Sequence, residues 1–285
     1  MRLANLSGRA VVLVDGGAID VEGLTDGAFG PDARSLFDDW DSFRAIVAER
    51  LSGATATPYQ VGDLGAPVPE PRQVFAIGLN YADHAAEASL PTPDFPVVFT
   101  KFPTSLTGPA TTVTLPSPGV DYEAELVAVV GREAREVSAA DGWSYIAGLM
   151  VGQDLSEREV QRRGPAAQYA MGKSFLGFAP TGPALVTLDE IDDPDNLAIK
   201  GWIGEQVLQD SRTKELIFTV PQLVEYISGI CRLLPGDLIF TGTPAGVGLS
   251  HTPPRFLRPG ETLMTEIEGL GRLEIPLVAG YNTSA

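Results

Sequence analysis

The chain has 285 residues, 44% of them hydrophobic, enough to bury a sizeable core as one large domain or as a large domain carrying a small one. Its 20 Lys and Arg against 37 Asp and Glu give a net charge of −17, which repels phosphate backbones and anionic lipid and so argues against nucleic acid or a membrane as partner. No apolar run approaches the roughly 18 residues that cross a bilayer, and Met1 to Ala10 lacks a basic region followed by an apolar one, so a cytoplasmic location is expected; the single Cys231 forms no internal disulfide and fits a reducing compartment.

Residues 1–70 read as a small N-terminal αβ unit with a Pro-rich linker, and residues 71–285 as the larger, catalytic part. Arg9 to Asp15 and Ala18 to Val21 flank Asp15-Gly16-Gly17 as a hairpin, and Ser42 to Leu51 has helical apolar spacing. After the stiff Pro67-Val68-Pro69-Glu70-Pro71 connector, Val74 to Leu79 reads as a buried strand. Asp83 is placed to cap a short Ala-rich helix, which Pro91, Pro93 and Pro96 stop; the segment Ser89 to Phe95 that follows has the character of a lid. Val97 to Lys101, Tyr122 to Gly131 and Ile146 to Val151 are expected strands, the second apolar on both faces in its later half and so central. Ser156-Glu157-Arg158-Glu159 reads as a capping box, opening a helix that Gly164-Pro165 ends. Further strands are expected at Leu185-Val186, Leu197 to Ile203, Gln206 to Leu208 and Asp237 to Phe240, with a final hairpin of Leu263 to Ile267 and Leu273 to Leu277; a helix from Thr219 carries Leu223, Val224, Ile227, Ile230 and Cys231 on its apolar side. Many short strands and few helices, without strict βαβ alternation, predict a β-rich α+β fold.

Chemistry concentrates in a few places. In an extended strand Glu123 and Glu125 face the same way, with Asp121 behind them, and two carboxylates one pleat apart repel unless a cation lies between them or the face is solvated. A solvated strand face is the ordinary explanation of such a pair, but the apolar run after it points the pair inward, and Asp154, leaving another buried strand, is a third oxygen donor. An all-carboxylate set suits Mg²⁺, Mn²⁺ or Ca²⁺ rather than Zn²⁺. His84 and Glu87, three apart on a helix, share a face; this is either a surface pair or a base whose tautomer the carboxylate fixes. The other histidine, His251, lies in an expected exposed loop. Lys173 sits among small and aromatic residues, as a buried cation facing an anion or as a surface lysine with a packed stem. Gly242 to Gly248 lacks the ending of a phosphate loop, and no Gly-x-Ser-x-Gly elbow exists.

Asn80-Tyr81-x-x-His84-x-x-Glu87, Asp121-Tyr122-Glu123-Ala124-Glu125-Leu126, Gln153-Asp154-x-Ser156-x-Arg158, Gly172-Lys173-Ser174-Phe175, and Pro235-Gly236-Asp237 through Thr241 to Gly248 together resemble the fumarylacetoacetate hydrolase superfamily, over roughly residues 72–278. The resemblance implies a twisted β-roll or mixed β-sandwich catalytic domain, a homodimer, and Mg²⁺ or Mn²⁺ held by Glu123, Glu125 and Asp154. It implies a His84–Glu87 dyad on the lid, Lys173 facing substrate, and substrate contacts from Tyr81, Lys101, Gln153, Arg158, Gln161, Gly242 and Thr243. The implied reaction is hydrolysis of a C–C bond in an acylpyruvate or 2,4-dioxo acid, with His84 activating water and Lys173 and Gln153 stabilising the oxyanion. Oxaloacetate decarboxylation, 2-hydroxydienoate isomerisation or a non-catalytic metal-binding scaffold are the alternatives. Arg72, Lys101, Arg158, Arg162 and Arg163 are candidate partners for a distal substrate carboxylate, unranked by sequence.

Overall fold

The structure is a computed structural model that describes residues 1–87 and 91–282. The first part forms strands β1 (Arg2–Leu6), β2 (Arg9–Val14) and β3 (Gly17–Asp20) and helix α1 (Trp40–Arg50). Then come β4 (Val74–Gly78), helix α2 (Ala82–Glu87), β5 (Val97–Thr100), β6 (Ala124–Val130) and β7 (Ile146–Gln153). Two one-turn helices, α3 (Arg158–Gln161) and α4 (Tyr169–Gly172), precede β8 (Ala179–Thr187), β9 (Ala198–Ile203) and β10 (Gln206–Arg212). Helix α5 (Val220–Ser228) and strands β11 (Leu238–Phe240), β12 (Thr262–Ile267) and β13 (Gly271–Ala279) complete the order.

This is the expected strand-rich α+β class. One large mixed sheet runs β3-β2-β1-β8-β7-β6-β11-β4-β5, and a second runs β10-β9-β12-β13 and ends on Val113–Leu115. All of β6 is buried, and its alternation divides the core: Leu126, Ala128 and Val130 belong to one hydrophobic cluster, Val127 and Val129 to another. At about 1.5–3 kcal/mol for each fully buried Val or Leu side chain, this strand is held far more strongly than any exposed pair could hold it. The N-terminal part is continuous with the rest in both sheet and core. Strand β1 pairs with β8 at Arg2↔Val186, and Leu3, Phe37 and Trp40 share a cluster with Val127 and Phe240, so the change of character near residue 70 falls within one sheet system.

Several boundaries differ from expectation, each for a local reason. The acidic strand does not begin at Tyr122. Val120–Asp121 pairs instead with Ser156–Glu157 in a separate two-residue ladder, which breaks the run at Tyr122 and Glu123. With Ser156 used in that ladder, no Ser156–Glu159 capping box forms, and Glu157 caps α3 by accepting the Val160 N–H at 2.5 Å. Asp83 lies inside α2 rather than ahead of it, its carboxylate accepting the His84 N–H at 2.7 Å. Helix α5 opens on the Thr219–Gln222 capping box but stops at Ser228, which leaves Ile230 exposed beyond its apolar face. Of the expected lid, Ser89 and Leu90 lie outside the described residues.

Candidate functional site

Strands β6 and β7 pair antiparallel with Ala124 opposite Gln153 and Glu125 opposite Gly152, so Glu123 and Glu125 at one strand's start lie beside Asp154 at the other's end. The Asp154 N–H donates to the Glu123 carbonyl at 2.9 Å and locks the two ends together. One carboxylate oxygen from each of Glu123, Glu125 and Asp154 falls within a 4.8 Å group, and all three residues are buried. Glu125 also accepts the Gly242 N–H at 2.9 Å. Gly242 has φ +102, and a Cβ there would stand 2.7 Å from Asn80 Cβ, so the close approach of this loop to Glu125 requires glycine.

Two lysines press on the triad. Lys173 Nζ donates to Glu123 Oε2 at 2.6 Å and to Asp154 Oδ2 at 2.7 Å. Lys101 Nζ donates to Asp154 Oδ1 at 2.5 Å, to the Phe178 carbonyl at 3.2 Å and to the Lys173 carbonyl. Arg158 reaches Asp121 Oδ2 through Nε at 2.8 Å, Glu123 Oε1 through Nη2 at 2.7 Å and Gln161 Oε1 through Nη1 at 2.9 Å. Asp121, expected behind the glutamates, instead anchors Arg158 and accepts the Gly248 and Leu249 N–H groups at 2.7 and 3.0 Å.

The electrostatics follow from these contacts. Burial alone raises the Glu123 carboxyl, but Lys173 and Arg158 outweigh it and hold the group below the usual carboxylate range. Glu125 has no such cation in contact: burial first, then the Asp154 and Glu123 carboxylates, push it well above its ordinary value. Lys101 is drawn down by burial against the pull of Asp154, whereas Lys173 is raised because Asp154 and Glu123 overcome its burial. Three buried hard-oxygen donors, one of them with its charge uncompensated, fit a divalent cation of the Mg²⁺ or Mn²⁺ type.

A cavity of about 440 Å³ opens onto this centre at Glu123, Arg158 and Lys173, while Glu125 and Asp154 do not line it. Among the expected site residues it is lined by His84, Glu87, Glu123, Arg158, Gln161, Arg162, Lys173 and Thr243. His84 Nδ1 stands 3.4 Å from Glu87 Oε2, at the long end for a hydrogen bond, and Glu87 also accepts the Gly246 N–H at 3.0 Å. His251 Nε2 lies 3.4 Å from the Gly246 carbonyl on the same loop.

Four expected substrate contacts do not line the cavity. Lys101 and Gly242 are committed to Asp154 and Glu125, as described. Gln153 is fully buried, its Oε1 accepting the Glu123 N–H at 3.0 Å and its Nε2 donating to Thr265 Oγ1 at 2.7 Å, so it positions Glu123 and does not reach an oxyanion. Tyr81 is fully buried, with no hydrogen-bond partner for its hydroxyl among the described residues. Thr243 lines the cavity while donating to the Ala124 carbonyl at 2.9 Å and accepting from Gln209 Nε2 at 2.7 Å.

Sequence reasoning missed the aromatic wall, in which Phe99 of β5 stacks on Tyr169 of α4 with ring centroids 5.5 Å apart and Lys173 Nζ stands 5.2 Å from the Phe99 centroid. The aromatic in the Val97–Thr100 strand was visible; its partner 70 residues on was not. Gln209 and Thr265, which brace the carboxylate strands from the second sheet, carry no local signal at all.

Fold and site together define a class: strand-rich proteins with a buried carboxylate triad suited to a divalent cation, close to a His–Glu dyad. Residues 73–278 match the sequence model of the fumarylacetoacetate (FAA) hydrolase C-terminal domain, and the chain belongs to that family. It is 44% identical over 227 residues to a Dictyostelium discoideum fumarylacetoacetate hydrolase domain-containing protein 2 homolog, covering 76% of this chain and 74% of that protein. It is 41% identical to the human mitochondrial oxaloacetate tautomerase FAHD2A over 72% of this chain and 66% of that protein. Among solved structures, the maleylpyruvate hydrolase of Sphingobium sp. SYK-6, in complex with manganese(II) and pyruvate, superposes with a TM-score of 0.82 at 30% identity over 99% of this chain and all of that one. A 2-hydroxyhepta-2,4-diene-1,7-dioate isomerase from Mycobacterium marinum gives 0.72 at 30% identity over 99% and 100% of the two chains. The family thus contains hydrolase, isomerase and tautomerase relatives of this chain. No helix among the described residues is long and apolar enough to cross a membrane.

Proposed function

We propose that the protein is a divalent-metal-dependent enzyme that moves a proton at the carbon next to the 2-oxo group of a small 2-oxo acid, interconverting keto and enol forms of an oxaloacetate-type substrate. One observation carries this reading: a single cavity is lined both by Glu123, the member of the buried Glu123–Glu125–Asp154 triad that reaches it, and by the His84–Glu87 dyad. Relatives named as oxaloacetate tautomerases, 41% identical over 72% of this chain, support the substrate class. Mg²⁺ or Mn²⁺ held by the triad would supply chelation of the substrate carboxylate and 2-oxo oxygen and the Lewis acidity that acidifies the neighbouring C–H.

The chain's own groups do the rest. Glu87, facing Nδ1, holds the imidazole in the tautomer that leaves Nε2 as the proton acceptor. His84 takes a proton from C3 of the keto acid and returns it to the 2-oxygen, and the reverse sequence restores the ketone, so the reaction balances without water or redox partner. Lys173 places an ammonium beside the triad and over the Phe99 face, where it offsets charge developing on the enolate. Phe99 and Tyr169 give the cavity an aromatic wall on the Lys173 side.

A second reading, hydrolysis of an acylpyruvate, is favoured by the same dyad, which is equally suited to deprotonating a water, and by the hydrolase neighbour with bound pyruvate. It needs water at the distal carbonyl, breaks the C3–C4 bond and releases pyruvate and a carboxylic acid. Loss of enol absorbance from oxaloacetate with Mg²⁺, run beside pyruvate release from acetopyruvate, separates the two. Accelerated enol decay without pyruvate release is the expected result; rapid pyruvate release with enol decay at the buffer rate would replace the tautomerase reading by the hydrolytic one.

A further inference from the structure

The cavity is lined by three cations, Arg158, Arg162 and Lys173, in a chain whose overall charge is −17. Two of them are already used. Lys173 is bonded to Glu123 and Asp154, and Arg158 to Asp121, Glu123 and Gln161. Arg162 differs. It follows α3 as its C-cap, its backbone N–H bonded to the Arg158 carbonyl at 3.2 Å, and it lies four residues from Arg158 and so on the same face, one turn further on. Arg158 is 6% exposed while Arg162 is exposed, which sets Arg162 toward the solvent side of the cavity. Its guanidinium pairs with no carboxylate among the described residues, although acidic residues outnumber basic ones nearly two to one.

The other arginines and lysines that a distal substrate carboxylate could use are placed elsewhere. Arg72 stands 3.8 Å from Asp38, Lys101 is fully committed at Asp154, and Arg163, one residue on, does not line the cavity.

We infer that Arg162 is the specificity-determining residue of the cavity, receiving the carboxylate at the far end of a 2-oxo dicarboxylate while the 2-oxo acid end lies at the triad. The inference rests on the proposed reading of the cavity as a 2-oxo acid site and goes beyond it by selecting dicarboxylates over 2-oxo acids that end in a neutral group. A planar guanidinium with all of its donors uncommitted binds a carboxylate through two parallel hydrogen bonds at the cavity mouth, a geometry that lysine reproduces only in charge.

The test compares oxaloacetate with acetopyruvate, which shares the 2-oxo acid and the exchangeable C3 protons but ends in a methyl ketone. Their kcat/KM values for C3 proton exchange with Mg²⁺ are measured in the wild type, Arg162→Gln, Arg162→Lys and Arg163→Gln. Arg162→Gln is expected to lower the oxaloacetate-to-acetopyruvate preference about 10- to 100-fold, through KM, the scale set by loss of one charge-assisted carboxylate contact. Arg162→Lys recovers part of it, and Arg163→Gln leaves it in place. A preference that survives Arg162→Gln, or falls equally in Arg163→Gln, overturns the assignment. Should the wild type exchange neither substrate, the proposed activity fails and the assignment is read from binding alone: oxaloacetate must raise the Tm of Mn²⁺-supplemented wild type more than acetopyruvate does, and Arg162→Gln must remove that difference, or the assignment falls as well.

Discussion

Glu87 accepts the Gly246 N–H with Oε1 at 3.0 Å and Oε2 at 3.2 Å and faces His84 Nδ1 with Oε2 at 3.4 Å, so one carboxylate both docks the helix carrying His84 and faces its imidazole. The two roles separate by substitution. Glu87→Gln keeps an oxygen for Gly246 but loses the charge that fixes the imidazole, whereas Glu87→Ala loses both. We expect His84→Ala to lower kcat about 10²- to 10⁴-fold, the usual worth of a positioned general base. Glu87→Gln should fall less than Glu87→Ala, which should also raise KM. Steady-state kinetics with Mg²⁺ check the order, and an unimpaired His84→Ala removes the histidine from the mechanism.

Glu125 is the triad member without a cation in contact, held by the Gly242 N–H among carboxylates that repel it. Glu125→Gln removes that repulsion with little change of shape, so the metal-free variant should melt at or above the wild-type Tm. The same change should abolish the rise in Tm that Mn²⁺ produces in the wild type. Calorimetric scans with EDTA and with Mn²⁺ measure both; a full Mn²⁺ response in the variant would place the ion elsewhere.

The pH dependence of metal binding follows from the same residue. Its carboxyl is raised above the ordinary value of 4.5, so in the metal-free protein its favourable contribution to stability is complete below that value and is lost as pH rises through the folded pKa. A divalent cation binds the ionised form, so Mn²⁺ affinity should increase with pH over that window, with proton release shrinking to none once the group is ionised in the free protein. Titration calorimetry in buffers of differing ionisation enthalpy reads the released protons, and a pH-independent affinity above pH 4.5 would show that Glu125 is already charged without metal.

Lys101 is fully buried on Asp154 and does not line the cavity. Lys101→Met keeps much of its volume but leaves Asp154 with Lys173 as its only cation. Removing one partner of a buried pair costs about 3–5 kcal/mol, and denaturant unfolding of the metal-free protein should show a loss of that order. A stability loss below about 1 kcal/mol, with KM for oxaloacetate raised instead, would restore Lys101 as a substrate contact.

The triad was legible because its three acids sit at the ends of apolar strands, where period-two alternation and strand polarity are strong local signals. The division of labour among the polar residues was not. Arg158 is held by Asp121, 37 residues away, and Gln153 is turned from substrate by Thr265, 112 residues away on the second sheet, so no window of sequence contains either pair. The start of the acidic strand was misjudged for the same reason: pairing of Val120–Asp121 with Ser156–Glu157 interrupts a run that composition alone would continue. Five candidate cations for a distal carboxylate looked alike in sequence; of them only Arg158 and Arg162 line the cavity, and Arg158 is bonded to Asp121, Glu123 and Gln161.

The most direct measurement is the rate at which the C3 hydrogens of oxaloacetate exchange in D₂O, followed by NMR with Mg²⁺ against a buffer-and-Mg²⁺ blank. The account predicts enzyme-catalysed exchange that disappears on metal removal and in Glu123→Ala, and that drops about 10²- to 10⁴-fold in His84→Ala. Exchange at the blank rate, or exchange that persists after the metal is stripped, would contradict it.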